Sequence, residues 1–213
     1  MAAGRAAAIT CDIGDEHIVE RAADRVSEVL GTPRVLVNNA AVLEGGSLLD
    51  VDLQVWQRVL DINLTEYLLC TRVFGRQMRD ARVGSIVHVS SIGGRLPQTG
   101  GGAYCVSETG VRMMSQVLAL ELGGCGVRSN VVSPAMVATP MREASYRDPE
   151  WRAQRSAMVP SGRIGRPSDI ANAVLWLAGD ASSYVNGQEL VVRNPPIADV
   201  DEREFTERSS PDR

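Results

Sequence analysis

The sequence predicts one α/β domain built on a doubly wound parallel sheet. Short apolar runs bounded by turn residues alternate with segments of helical period, a pattern typical of parallel strands joined by crossover helices. The chain has 213 residues, of which 44% are hydrophobic and 23% charged. A chain of this size and composition buries one sizeable core, so we expect a single soluble globular domain.

Strands and helices follow one another along the chain. The predicted strands are apolar runs suited to burial on both faces, namely Ala7–Thr10, Val35–Asn38, Ser85–Ser90, Arg128–Val132 and Glu189–Val192. The predicted helices have apolar residues at helical spacing and are Glu16–Leu30, Asp52–Arg79, Ala103–Leu122 and Pro167–Ala178. Pro167 falls in the first turn of the last helix, where a proline removes no helical hydrogen bond.

Two segments lie outside this alternation. Residues 140–165 have mixed composition and no sustained period, so they form either a lid over a substrate or a plain surface connection. From Arg193 the chain is polar and acidic, which predicts a disordered tail. We therefore assign the domain to residues 1–192 and the tail to residues 193–213.

Charge and cysteine content exclude several classes of function. The net charge of −4 argues against nucleic acid or an anionic membrane as the main partner, since either needs a basic face. The chain contains no apolar run long enough to span a membrane and no signal-peptide pattern at Met1, and its four cysteines are scattered. We expect a cytoplasmic, disulfide-free protein. His17 and His88, the only two histidines, are too few for a zinc site, so no metal is predicted.

Polar residues stand at the predicted strand ends in a fixed order. Asn38, Asn39, Ala40 and Ala41 follow the second strand, at the edge where an open α/β sheet binds its ligand, and the long helix carries Asn63 within "DINL". The next strand ends in Ser90 and Ser91, with Tyr104 thirteen residues after Ser91, and "SNVVSPAMVATPM" closes the following strand with Pro134 and Thr139. Each residue alone has an ordinary structural explanation. Together, in this order, they indicate an active site.

This series resembles the motifs of the short-chain dehydrogenases/reductases over residues 6–192. That family carries NNAG after a strand, an Asn, Ser and YxxxK catalytic set, and a PG turn after its sixth strand. The resemblance implies a Rossmann-like fold and NAD(P)-dependent reduction of a carbonyl or oxidation of an alcohol. It also implies that Ser91 polarises the substrate oxygen, Tyr104 passes the proton and Asn63 holds a water in the proton relay.

The resemblance further implies a cofactor, either NAD or NADP, and the residues that contact it. Asp12 matches the aspartate that contacts adenine, while Asn39 and Ala40 line the cofactor cleft. Pro134 opens the turn that places Val137 and Thr139 against the nicotinamide amide and a neighbouring phosphate. The family assembles through its long helices, so a homodimer or homotetramer acting on a small-molecule carbonyl or alcohol is expected.

Glu108 departs from the family pattern at the position of the active-site lysine. All 22 basic residues of the chain are arginine, so no lysine elsewhere replaces it. A tyrosine with its ordinary pKa of about 10 is a poor base at neutral pH, and an adjacent ammonium favours the phenolate. An ionised Glu108 would oppose the phenolate instead. We therefore treat Glu108 as part of the catalytic set but expect it to weaken the activity.

The absence of a glycine-rich turn is the second departure from the family pattern. The family binds the cofactor pyrophosphate on a GxxxGxG turn at a helix amino terminus, and this sequence has no such stretch. We read the sequence as starting at the family's third strand, without two strand–helix units, and we expect a truncated start. Ala7–Thr10 would then have no strand partner, and Val35–Asn38 would be an exposed edge. Cofactor binding is expected to be weak.

Three hypotheses follow. The first is an oxidoreductase of the short-chain family, weakened by the two departures. The second is a non-redox acid–base enzyme that uses Ser91 and Tyr104 without a nicotinamide. The third is a non-catalytic subunit that keeps the family's assembly surface. Cofactor binding separates the first hypothesis from the other two, and substrate turnover separates the second from the third.

Overall fold

The structure, a computed structural model, describes residues 6–142 and 146–194. Its strands are β1 (Val35–Asn38), β2 (Gly84–Val89), β3 (Val127–Pro134) and β4 (Glu189–Val192). Its α-helices are α1 (Glu16–Leu30), α2 (Leu53–Leu60), α3 (Glu66–Ala81), α4 (Gly102–Gly123), α5 (Pro149–Ala157) and α6 (Pro167–Ala178). This confirms the α/β class predicted from the alternation of apolar runs and helical periods.

The four strands form one parallel sheet in the order β1-β2-β3-β4. Asn38 pairs with His88, Val89 with Val132, and Pro134 with Val192, so all four strands end at one edge. The carboxyl edge of a parallel sheet is where an open α/β fold binds its ligands. The predicted residues Asn39, Ser91 and Pro134, which end or follow these strands, therefore lie at this edge of the sheet.

Helices cover the two faces of the sheet unequally. On one face Ile86 packs with Met78 of α3, and on the other face Val87 packs with Leu177 of α6. Val35 and Val37 point to the same face as Val87, but they are 41% and 43% exposed because no described residue covers them. The α6 face of the sheet is thus bare at β1.

The amino ends of the helices are fixed by local side chains. Asp15 caps α1, where its carboxylate accepts hydrogen bonds from the backbone N–H groups of His17 and Ile18. Asp52 caps α2 in the same way, through the N–H of Gln54. These caps explain why the sequence pattern located the first turns of these helices so closely.

The predicted helix Asp52–Arg79 is continuous but not uniform. Between α2 and α3 the residues Asp61–Thr65 form a single π-helical turn, with Asn63 at its centre. Such turns are uncommon and concentrate at functional sites, because the extra residue re-aims the side chains around it. Apolar periodicity does not reveal a one-residue insertion of this kind.

The predicted strand Ala7–Thr10 is wrong. Residues 6–12 run outside any strand, and Ile9 is 37% exposed. A β-strand needs a neighbour to satisfy its backbone N–H and C=O groups, and no described residue pairs with this segment. The apolar run alone therefore does not make a strand here. The expected exposed edge at β1, in contrast, is present.

The segment 140–165 contains more structure than the sequence indicated. Pro140–Arg142 form a 3-10 turn, and α5 follows with Asp148 as its cap. Trp151 of α5 packs edge-on against Tyr146 and lies under the Arg155 guanidinium. Most of the predicted tail, residues 195–213, lies outside the described residues. No helix in the described ranges is long and apolar enough to cross a membrane.

Candidate functional site

Asn63 fastens the π-helical turn to the loop after β1. Its side-chain oxygen accepts a hydrogen bond of 2.8 Å from the N–H of Val42, and its amide nitrogen donates to the Val42 carbonyl at 3.0 Å. The same nitrogen lies 3.1 Å from the hydroxyl of Ser107, to which it donates a third bond. Asn63 is fully buried, so these contacts use its polar capacity inside the protein.

Ser107 links Asn63 to Tyr104, a connection that sequence reasoning missed. The Ser107 hydroxyl donates to the carbonyl of Tyr104 at 2.8 Å while it accepts from Asn63. The first turn of α4 is thereby connected to the π-helical turn. The only sequence signal was a serine three residues after the tyrosine, a spacing at which helical residues share a face.

Ser91 and Tyr104 border the same small space. A Cβ placed on Gly93 would lie 3.4 Å from the Ser91 hydroxyl oxygen and 3.4 Å from ring carbon Cε1 of Tyr104. The Ser91 oxygen accepts a hydrogen bond from the N–H of Gly93, which fixes it at the end of β2. The structure thus places the Ser91 hydroxyl and the Tyr104 ring, thirteen residues apart in sequence, on either side of Gly93.

Glu108 lies behind Tyr104, one helical turn along α4, and is only 3% exposed. Its carboxyl forms side-chain hydrogen bonds with Ser90 and Tyr104. Burial raises the pKa of Glu108 to about 7, an effect that these two hydrogen bonds partly offset. The carboxyl therefore changes charge near neutral pH.

Gly94 allows α4 to approach the end of β2 this closely. A Cβ at position 94 would lie 2.7 Å from the main-chain carbon of Glu108, a distance that real Cβ atoms do not reach. The Gly94 carbonyl also accepts hydrogen bonds from Thr109 and Arg112 of α4. The depth of Glu108 is thus set by a backbone contact that only glycine permits.

Tyr67 of α3 completes the surroundings of this carboxyl. Its hydroxyl donates to the carbonyl of Val89 at 3.1 Å. Burial raises the pKa of Tyr67, and the charge of Glu108 raises it further. Tyr67 therefore remains a neutral hydrogen-bond donor, and the sequence analysis did not identify it because no motif marks it.

A buried polar chain runs beneath the site from β1 to α4. The amide nitrogen of Asn38 donates to His88 Nδ1 at 3.1 Å, so the His88 hydrogen sits on Nε2, which lies 3.3 Å from the Ser129 hydroxyl. Ser129 in turn lies 2.9 Å from the hydroxyl of Ser115. Burial lowers the pKa of His88 to about 4, which keeps the ring neutral.

The residues predicted to contact a cofactor follow β1 and β3 or, in the case of Asp12, precede α1. Asn39 and Ala40 are exposed just after β1. Asp12 is exposed before α1, where its carboxylate accepts a hydrogen bond from the N–H of Gly14 at 3.0 Å. Thr139 is partly exposed beyond the end of β3. These positions are open to a ligand, but no described contact draws them into one site.

Val137 lies at a cleft at the ends of β3 and β4. The cleft has a volume of about 220 Å³, and Val137 shares its wall with Ala135 and Ile164. The segment after Pro134 is held in place because the N–H of Ala138 donates to the Gly165 carbonyl at 2.9 Å. Pro134 itself ends β3 and does not line the cleft.

The fit to a nicotinamide dinucleotide is partial. The cleft beside Val137 lies at the carboxyl edge of the sheet, where an open α/β fold binds its ligands. Glu108, at the position of the family's ribose-binding lysine, faces Ser90 and Tyr104 inside the protein. The ribose contact is therefore not supplied from position 108. In the part of the chain that the structure describes, no cluster of His, Cys, Asp and Glu residues could hold a metal ion.

Comparison with known proteins finds dehydrogenases among the proteins that this chain resembles. A family described as enoyl-(acyl carrier protein) reductase matches residues 1–194. The chain is 37% identical over 182 residues to D-threitol dehydrogenase of Mycolicibacterium smegmatis, covering 85% of this chain and 70% of the relative. It is 34% identical over 192 residues to 3beta-hydroxysteroid dehydrogenase 1 of Eggerthella lenta, covering 90% of this chain and 74% of that protein.

Solved structures agree with this placement. The structure superposes on gluconate 5-dehydrogenase from Burkholderia cenocepacia, solved in complex with NADP and tartrate, with a TM-score of 0.79 and 25% identity. The match covers 85% of this chain and 71% of the other. The parallel sheet, the family match across nearly the whole domain and these relatives lead to one conclusion: the chain belongs to the short-chain dehydrogenase/reductase family.

Proposed function

We propose that the protein is an NAD(P)-dependent oxidoreductase that interconverts a small-molecule alcohol and its carbonyl compound. The observation that carries the proposal is the proximity of Ser91 and Tyr104, since the Ser91 hydroxyl oxygen and the Tyr104 ring carbon Cε1 each lie 3.4 Å from the Cβ position of Gly93. Hydride transfer to a carbonyl builds negative charge on its oxygen, so one hydroxyl must stabilise that oxygen and another must deliver a proton. Two fixed hydroxyl groups at the sheet edge meet this requirement.

Each residue has a distinct part in the proposed reaction. Ser91, held by the N–H of Gly93, donates a hydrogen bond to the substrate oxygen. Tyr104 gives its proton to that oxygen in reduction and takes it back in oxidation. Asn63 acts at a distance, because its bonds to Val42 and Ser107 fix the turn from which Tyr104 projects.

A bound nicotinamide would supply or accept the hydride. Val137 and Thr139 would hold its carboxamide end and a phosphate, Asn39 and Ala40 would border the cleft, and Asp12 would contact adenine. Because Glu108 replaces the lysine that grips the ribose, we expect both NAD(H) and NADP(H) to bind weakly. Calorimetry checks this expectation, and a dissociation constant in the low micromolar range would contradict it.

The relatives support alcohols as the substrate class without narrowing it. Their names specify a sugar alcohol and a hydroxysteroid, two alcohols of very different size and polarity. What these substrates share is the hydroxyl group that meets the serine–tyrosine pair. The proposal therefore extends to the reacting group and not to the rest of the substrate.

Turnover of a panel of polyols and cyclic alcohols with millimolar NAD⁺ or NADP⁺ tests the proposal. The wild type should reduce the cofactor, and both Tyr104→Phe and Ser91→Ala should lose most of this activity. Tyr184→Phe is the matched control, since Tyr184 is fully exposed and distant in sequence from both residues. Equal activity in Tyr104→Phe and the control would refute the assignment of Tyr104.

A non-redox acid–base enzyme is the second candidate, favoured by the buried Glu108 carboxyl. A carboxyl that changes charge near neutral pH beside a tyrosine hydroxyl is suited to proton abstraction without hydride transfer. Turnover of a carbonyl substrate in the absence of nicotinamide would favour this candidate. A strict requirement for nicotinamide would favour the oxidoreductase.

We further propose that the protein is a cytoplasmic homo-oligomer. Val106, Met113, Val117 and Leu120 form an apolar stripe along α4 and are 42%, 60%, 44% and 86% exposed. A continuous apolar stripe on a helix is typical of a surface buried by a partner. All four cysteines are free thiols, which supports a reducing compartment.

A further inference from the structure

Glu108 and Tyr104 form a carboxyl–phenol pair in which the carboxyl is buried and the phenol ring lies beside Ser91. The Tyr104 ring lies beside Gly93 and Ser91, and its hydroxyl forms a hydrogen bond with the Glu108 carboxyl, one helical turn along α4. Glu108 is 3% exposed, so a proton reaches its carboxyl through its hydrogen-bond partners, of which Tyr104 is the one beside Ser91. This arrangement is a path for one proton.

We propose that Glu108 is the terminal proton acceptor of the site and that it acts through Tyr104. This inference rests on the proposed function only in that Tyr104 meets the substrate. A lysine at position 108 would favour a phenolate, and the phenolate would be the base. With glutamate there, Tyr104 stays a neutral phenol and the carboxylate takes the proton.

The proposed step conserves every proton and electron pair. The substrate hydroxyl gives its proton to the Tyr104 oxygen while the phenolic proton of Tyr104 moves to the Glu108 carboxylate. The O–H electron pair stays on the substrate oxygen, which becomes an alkoxide hydrogen-bonded to Ser91. The products are one neutral carboxylic acid and one alkoxide, from an alcohol and a carboxylate. In carbonyl reduction the same protons move in reverse.

The groups around Glu108 agree with this role. Tyr67 faces it from α3 and Cys105 lies on its own helix, and the charge of Glu108 raises the pKa of both. Arg112, one turn further along α4, donates to the Gly94 carbonyl and lies 2.9 Å from Glu189. Arg112 is thus engaged with other groups, and Ser90 and Tyr104 supply hydrogen bonds to the carboxyl.

Ser90 serves both charge states of the carboxyl. Its hydroxyl lies 3.2 Å from the main-chain carbonyl of Glu108 and also bonds to the side-chain carboxyl, but it has only one hydrogen to donate. When Glu108 is ionised, this hydrogen turns to the carboxylate. When Glu108 is protonated, the hydrogen returns to the carbonyl and the Ser90 oxygen accepts from the acid. The proton can therefore arrive and leave without leaving a buried polar atom unpaired.

Infrared difference spectroscopy on the full chain tests the pair without requiring turnover. The carboxylic C=O band is followed against pH in protein with ¹³C-labelled glutamate. The wild type should show a buried carboxyl with a midpoint near pH 7, and Glu108→Gln should lack that signal. Glu121→Gln, which changes an exposed glutamate of the same helix, should retain it.

Coupling to Tyr104 is the decisive part of the infrared test. Tyr104→Phe removes one hydrogen-bond donor to the carboxylate, so the Glu108 midpoint should rise by about half a pH unit or more. Ser90→Ala should raise it in the same direction and serves as a second variant if Tyr104→Phe is poorly folded. An unchanged midpoint in both variants would overturn the proposal.

Alcohol oxidation provides the functional arm of the test. The kcat/KM of the wild type should rise with pH through the same midpoint, and Glu108→Gln should lose that rise together with about tenfold or more of the rate above it. A rate in Glu108→Gln equal to that of the wild type at all pH values would overturn the proposal. If no variant oxidises any alcohol, the proposed function fails. The infrared coupling then tests by itself whether Glu108 and Tyr104 exchange a proton.

Discussion

His88 and Glu108 are both buried ionisable side chains near the same sheet edge, but their partners differ. His88 is closed in on both ring nitrogens, by Asn38 on one side and Ser129 on the other. Glu108 is bonded to Ser90 and Tyr104, two hydroxyl groups that both donate and accept. The partners of His88 satisfy only its neutral form, whereas the partners of Glu108 can satisfy both the carboxylate and the carboxylic acid.

This difference separates a polar cluster that only stabilises the fold from one that can take part in proton transfer. A buried group whose neighbours satisfy a single protonation state stabilises one packing arrangement and excludes change. A buried group whose neighbours can reverse their hydrogen bonds can exchange a proton, provided that one neighbour reaches the substrate. Only Glu108 has such a neighbour, because Tyr104 borders the space beside Ser91.

The two groups also act on stability in opposite pH ranges. The pKa of His88 falls from 6.5 to about 4 on folding, so its neutral form stabilises the protein above pH 6.5 and this stability is lost as pH falls towards 4. The pKa of Glu108 rises from 4.5 to about 7, so its contribution is full below pH 4.5 and is lost as pH rises through 7. Each is worth about 3 kcal/mol at most.

The largest effect on activity should come from the cluster around Glu108, which includes Ser90 and Tyr104. Tyr104→Phe removes the hydroxyl that joins Glu108 to the substrate, so alcohol oxidation should fall by about a hundredfold to ten-thousandfold. The free energy of unfolding should change little, because the ring remains. Steady-state kinetics alongside urea denaturation measure both quantities. A large loss of stability with full activity would reverse the roles of the two clusters.

The next largest effect, on stability, should come from the cluster around His88, which includes Asn38 and Ser129. His88→Leu removes the ring to which Asn38 and Ser129 bond, while Asn38 still donates to Thr71 and Ser129 still bonds to Ser115, so it should cost about 1–3 kcal/mol of unfolding free energy at pH 7. His88→Asn, which keeps a polar side chain, should cost less. Urea denaturation decides the matter. If His88→Leu were as stable as the wild type, the Asn38–His88–Ser129 chain would not be a stabilising feature.

A smaller effect concerns assembly, which neither cluster controls directly. Met113→Glu places a charge in the apolar stripe of α4 and should shift a dimer or tetramer towards monomer in light scattering at micromolar concentration. Gln154→Glu on the exposed face of α5 adds the same charge outside the stripe and should leave the assembly unchanged. A monomeric wild type would contradict the proposed oligomer.

The elements that sequence patterns located correctly are those fixed by local signals. Glu16–Leu30 and Val35–Asn38 begin and end where the pattern placed them, because a cap, an apolar period and flanking turn residues act within a few positions. Ala7–Thr10 failed because a strand depends on a neighbour, and neighbours are set by the tertiary fold.

The candidate site shows the same division between features set by local sequence and features set by tertiary contacts. The order of Asn63, Ser91 and Tyr104 along the chain was enough to bring them to one edge of a parallel sheet. The contacts between Asn63 and Ser107, and the burial of Glu108 against Gly94, join positions far apart in sequence and leave no periodic trace. Sequence analysis therefore named these residues as candidates, and their hydrogen-bond partners became visible only in three dimensions.

The pH dependence of stability in Glu108→Gln tests the central claim most directly. The free energy of unfolding of the wild type, relative to this variant, should fall by about 3 kcal/mol between pH 4.5 and pH 8, because only the wild type must then bury a carboxylate. Glu121→Gln should show no such trend relative to the wild type. A constant difference between the wild type and Glu108→Gln, or a wild type that gains relative stability towards pH 8, would mean that Glu108 is an ordinary ionised carboxylate and that the proton path through Tyr104 does not exist.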